Sequence, residues 1–128
     1  MEVKEYQEKA HEFAFYAKPK IVKENGMHEI FRTAKIEADC DWTYPVMGLS
    51  EEAGEVSGKF AKIIRDKHGR IGIDDVQAIK KELGDCMWMI AEICTCLGIS
   101  LEDVMAQNIQ KLTDRKHRNV LSGSGDNR

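Results

Sequence analysis

Residues 49–64, LSEEAGEVSGKFAKII, and residues 78–94, AIKKELGDCMWMIAEIC, decide how this chain folds. In both, apolar side chains return every three or four positions, the period of an amphipathic helix. Each stretch also carries an acidic signature, Glu52-Ala53-Gly54-Glu55 in the first and Glu82-Leu83-Gly84-Asp85 in the second. At 100° per residue the two acids of a signature stand about 60° apart, so they project from nearly one side. Leu49, Val56, Phe60 and Ile63 fall within about 80° of Glu52, and Ile79, Cys86, Met89, Ile90 and Ile93 lie as close to Glu82. The acids therefore sit on or beside stripes that pack inward, where an unpaired carboxylate is costly. A cation shared by Glu52, Glu55, Glu82 and Asp85 resolves that conflict. The plainer reading of any one E-x-x-E is a solvated helix face, since Glu is a common surface helix former. Two such pairs, each on an apolar stripe, favour a metal site.

Outward from these stretches the chain reads as four helices. The first is expected over residues 2–17, with Val3, Tyr6, Ala10, Phe13 and Ala17 as its stripe. Residues 18–45 are less regular, with room for a short helix in HEIFRTAKIEA. The second helix starts near Pro45, a residue suited to a first turn, and runs to Lys67. His68-Gly69-Arg70-Ile71-Gly72 breaks it. Asp74, with Gln77 in the capping-box position, opens a third helix that runs to Leu97. Gly98 is the expected stop, and Ser100 caps a fourth helix reaching Asn119. The short connection makes helices two and three antiparallel neighbours, which lets the four acids meet across one seam. No sustained period-two segment calls for a sheet. The expected domain is all-α over residues 1–120, followed by a flexible polar tail, 121–128.

Composition sets the class. With 128 residues, 42% hydrophobic and 32% charged, the chain suits one helix-rich domain. A net charge of −3 offers no basic footprint for nucleic acid. No run of eighteen apolar residues suggests a membrane span, and MEVKEYQEKA lacks a signal-peptide pattern, so the cytoplasm is the expected location. Cys40, Cys86, Cys94 and Cys96 form no zinc pattern, and Cys86 and Cys94 read as small core residues in a reducing compartment.

Carboxylate-only ligation selects hard cations, Mg²⁺ first with Mn²⁺ as a substitute. Bundle-core di-iron sites use Glu-x-x-His, and neither signature contains His. Mg²⁺ held by carboxylates commonly recruits substrate phosphates. Asn108, Lys111 and Arg115 recur at helical spacing in the fourth helix and suit a phosphate clamp, although basic residues near a helix C-terminus are also favoured by the dipole alone. Trp42 and Tyr44 stand outside the regular part and could stack on a base, whereas Trp88 reads as core. The Met residues read as core filler and the four His as surface residues.

E-x-x-E, then E-x-x-D on the next helix, then N-x-x-K-L-x-x-R resembles the MazG-like nucleoside triphosphate pyrophosphohydrolases. The likeness runs from about Tyr44 to the C-terminus and includes GLSEEAGEV, KKELGDCMWMIA, LGISLEDVMAQNIQKLTDRKHRN and GSGDNR. It implies a four-helix all-α bundle assembling as a homodimer or homotetramer. It also implies Mg²⁺-dependent hydrolysis of an NTP or dNTP to the monophosphate and pyrophosphate. By position, Glu52, Glu55, Glu82 and Asp85 match the metal ligands, and Asn108, Lys111 and Arg115 match residues near the nucleotide. Glu51, beside the ligands, is a candidate to orient or deprotonate water. A catalytically inactive, metal-stabilised helical interaction module is the competing reading.

Overall fold

The computed structural model describes residues 1–16 and 42–125. Four helices account for the regular structure there: α1 (Val3–His11), α2 (Thr43–Lys67), α3 (Ile73–Cys96) and α4 (Leu101–His117). Among the described residues there is no strand, as the absence of a period-two pattern requires.

The helices α2 and α3 form an antiparallel hairpin and make the most extensive contact in the fold. Their register follows from three cross-links. At one end Gly48 lies against Met89, so close that a Cβ on Gly48 would stand 2.5 Å from Met89 Cε. In the middle Lys59 Nζ meets Glu82 Oε1 at 2.9 Å, and by the turn Lys67 Nζ meets Asp75 Oδ1 at 2.6 Å. Ile63, Ile79 and Met89 are buried. The turn itself uses left-handed backbone at His68 (φ 53°) and Gly69 (φ 77°), which lets the Gly69 N–H reach back to Ile63 O at 3.1 Å and close the end of α2.

Pro45 falls in the first turn of α2, as expected, with the helix beginning two residues earlier. There its missing N–H leaves nothing unsatisfied. The start of α3 differs from expectation. Gly72 is the N-cap residue, and Asp75 reaches back to accept the Gly72 N–H at 2.9 Å, so Asp75 rather than Gln77 plays the acidic half of the box. Asp75 also faces Lys67, a pairing that rewards this choice of register. Gly98 ends α3 with φ 66°, and Ile99 N–H bonds Cys94 O at 2.9 Å. Ser100 Oγ accepts the Asp103 N–H at 3.3 Å and caps α4.

The first helix stops at His11, six residues short of expectation. Glu12, Phe13 and Ala14 close the end with tight bonds to Lys9, Ala10 and His11 carbonyls. Phe13 and Phe15 are exposed, while Tyr16 turns inward so that its hydroxyl donates to Glu92 Oε2 at 3.1 Å. Ala17 and the HEIFRTAKIEA segment lie outside the described residues. The helix α1 packs on the C-terminal half of α3 and on α4, around Ala10, Ala91, Cys94 and Leu101 with Val3, Tyr6, Trp88 and Ile90 beside them. Trp88 is part of this core, and its Nε1–H donates to Ala10 O at 2.9 Å. Cys86 and Cys94 are free thiols, as expected of these two, whereas Cys96 is disulfide-bonded, which the expected reducing compartment did not anticipate. No described helix is long and apolar enough to cross a membrane.

Candidate metal centre

The α2–α3 register carries Glu52 to the height of Glu82 and Asp85. One carboxylate oxygen from each of the three lies within 4.8 Å of the others. Glu52 and Glu82 are half-buried and Asp85 is exposed, so the group opens to solvent on one side. Oxygens that close around a common point suit a hard divalent ion, whose ligand distances are about 2.0–2.6 Å. The Glu52 carboxyl is pushed above the ordinary range, first by loss of solvent and then by Asp85, Glu51, Glu82 and Glu55.

A cation already answers part of that charge. Lys59 pairs with Glu82, and the pairing raises the lysine's own pKa, through the hydrogen bond first and the charge second. Beside that ammonium, the three converging carboxylates make a donor set that fits a hard divalent ion. Lys59 went unread in the sequence, although it stands four residues after Glu55 and seven after Glu52, on the face they share. Tyr6 was missed too. Its hydroxyl pKa is raised by burial and then by the Asp85 charge.

Glu55 is exposed and stands outside the group of three, though near enough to act on Glu52 and Lys59. Glu51 is exposed beside it. Trp42 and Tyr44 are exposed at the start of α2, and the Tyr44 ring stacks on Tyr16 with centroids 4.6 Å apart. Asn108 and Lys111 are exposed on α4, whereas Arg115 is buried and its Nη2 donates to Gly125 O at 3.3 Å. The helix α4 packs on α1 and α3 and makes no comparable contact with α2. Among the described residues, then, three of the four expected acids converge across the α2–α3 seam.

A third feature escaped the sequence reading. Glu92 is 0% exposed, and its Oε2 meets both the Tyr16 hydroxyl and His11 Nδ1 at 3.1 Å. No spacing signal marks it, because its partners are 81 and 76 residues away.

Comparison with known proteins places the chain in a family. Residues 45–120 match the model of the MazG nucleotide pyrophosphohydrolase domain, a span that contains the whole acidic group and α4. The chain is also 45% identical over 94 residues to "Gene 37 protein" of Mycobacterium phage L5, covering 70% of this chain and 82% of that protein. No solved structure matches.

Proposed function

The chain belongs to the MazG nucleotide pyrophosphohydrolase family, and from that premise we propose that it hydrolyses a nucleoside triphosphate, NTP or dNTP, to the monophosphate and pyrophosphate in the presence of Mg²⁺. Mn²⁺ substitutes, and the role is housekeeping or control of the nucleotide pool in the cytoplasm. The observation that carries this reading is the meeting of Glu52, Glu82 and Asp85 across the α2–α3 seam.

In this reading Glu52, Glu82 and Asp85 hold the ion, with Glu55 completing the set from the exposed side. When bound, Mg²⁺ supplies charge neutralisation on the phosphates and a more acidic water. Glu51 orients that water or takes its proton. Lys111 and Arg115 stabilise the equatorial phosphate oxygens and Asn108 supports them. Trp42 and Tyr44 offer the aromatic surface for a base. We place the nucleotide near a subunit boundary, in a homodimer or homotetramer, because the exposed apolar side chains of α2, α3 and α4 call for a second copy of the chain.

Phosphate release from each common NTP and dNTP in Mg²⁺, with pyrophosphatase added, tests the activity directly. Turnover of at least one substrate is expected, and EDTA abolishes it. Lys111→Ala lowers kcat/KM about ten- to a hundredfold, the value of one charge-assisted contact, without loss of metal binding. No turnover of any triphosphate, with the ion bound, leaves the inactive interaction module as the correct reading.

A further inference from the structure

Lys59 sits at a junction between two features that the proposed reaction needs to connect. On one side its Nζ holds Glu82 Oε1 at 2.9 Å, inside the acidic group. On the other it lines a cavity of about 120 Å³ between α2 and α3, on the side of the group nearer the turn. Lys62 and Lys67 line the same cavity, together with Asp66 and Asp75. Lys67 is committed to Asp75 at 2.6 Å. Among the described residues that line this space, Lys59 is the one whose ammonium is held by Glu82 of the acidic group.

Its pairing with Glu82 meets a definite need. Three carboxylates within 4.8 Å repel one another, and a monovalent cation on one of them relieves part of that. A divalent ion bound by the same oxygens neutralises more charge at shorter range. The lysine side chain is 30% exposed, on a flexible four-carbon stem, so it gives up the carboxylate at little steric cost. A triphosphate arriving at the site brings phosphate oxygens, to which an ammonium binds as a point charge.

We propose that Lys59 is an exchangeable cation of the site. It pairs with Glu82 in the metal-free protein, and once Glu82 is ligated its ammonium turns to a distal phosphate oxygen of the substrate at the mouth of the lysine-lined cavity. The inference rests on the metal-dependent reading given above, yet neither half of it needs turnover to be measured.

Two calorimetric titrations decide it, on wild type, Lys59→Met and Lys59→Arg. The first adds MnCl₂ alone. Removing the competing ammonium of this half-buried pair tightens Mn²⁺ binding in Lys59→Met by at least about twofold, because such a pair is screened less than an exposed one. The second adds imidodiphosphate at saturating Mg²⁺, and Lys59→Met binds it about tenfold more weakly, while Lys59→Arg restores it to within about threefold of wild type. Should Lys59→Met lose its helical circular dichroism, Lys59→Gln carries both titrations. Unchanged or weaker Mn²⁺ binding overturns the competition, since it makes Lys59 a mere support for Glu82. Unchanged imidodiphosphate binding overturns the exchange. A wild type that binds both probes yet hydrolyses no triphosphate sinks the hydrolase reading alone.

Discussion

Replacing Glu52 by Gln removes one charge from a place where Asp85, Glu51, Glu82 and Glu55 all oppose ionisation. Two effects of opposite sign follow. The metal-free protein gains, because repulsion across the seam falls, and its Tm rises by a few degrees. Metal binding and turnover are lost, because a carboxamide is a poor ligand for a hard cation. Asp85→Asn behaves in the same way. Melting curves with EDTA and with Mn²⁺ check both signs, and a variant that keeps full activity at ordinary Mg²⁺ ends the assignment. Asp75 gives the contrary electrostatic case. Lys67 first, and then the Gly72 N–H, hold its carboxyl below the usual range. A lowered carboxylate pKa stabilises the fold above the unfolded-state value of about 3.9, and that contribution is lost as the pH falls through the lower folded value. Asp75→Asn therefore melts below wild type at pH 7, and the gap narrows as the medium is brought below pH 3.9. A gap independent of pH would mean that Asp75 acts only through its shape.

Gln7 decides how the shortest helix is held. Its Nε2 donates to Ile99 O at 2.9 Å and to Thr95 Oγ1 at 3.3 Å, while its Oε1 accepts the Leu101 N–H at 2.9 Å. One amide thus ties α1 to the end of α3 and to the start of α4. Gln7→Leu deprives a backbone N–H and a backbone carbonyl of their partner, and we expect about 1–2 kcal/mol of destabilisation in urea unfolding. Amide exchange in α1 should quicken more than in α2, and equal rates in mutant and wild type would show that the Trp88–Ala10 bond and the apolar contacts suffice. Such anchoring explains why the sequence misjudged α1. Its stripe continues in phase to Ala17, but Phe13 and Phe15 stay exposed past the helix end, and the chain turns to bring Tyr16 onto Glu92. The hairpin of α2 and α3 was legible for the opposite reason: both stripes find each other across a turn whose His68-Gly69 backbone closes α2 by its own bonds.

The assembled chain leaves apolar surface uncovered. Phe60 and Ile64 on α2, and Leu83 and Met87 on α3, are exposed, and so are Met105, Ile109 and Leu112 along one face of α4. The stripes read as packing inward are covered only in part: Ile63 is buried, Leu49, Val56, Ile90 and Ile93 are half-buried, and Phe60 is exposed. Apolar groups of this extent on several helices call for a covering surface, and a second copy of the chain is the commonest solution. Light scattering at low micromolar concentration should therefore give at least twice the 14.5 kDa of one chain. A fully active species of 14.5 kDa rules that out.

The positions of α2, α3 and α4, the turn at His68-Gly69, the Ser100 cap and the two acidic pairs were readable from residue order, because each depends on backbone sterics or on neighbours three and four places away. The same order says how a side chain is directed about its own helix axis. It does not say how far the neighbouring helix is rotated or slid along that axis. Those two quantities are set by close packing, as where Gly48 admits Met89, and they choose among side chains that share a face. Hence three acids meet while Glu55, only about 60° from Glu52, stays outside. Hence also Lys59 finds Glu82, Tyr6 approaches Asp85, and Glu92 is buried against His11 and Tyr16. Each of these pairings joins different helices or distant segments, so no local period encodes it, and the balance of burial against charge in the folded chain selects it.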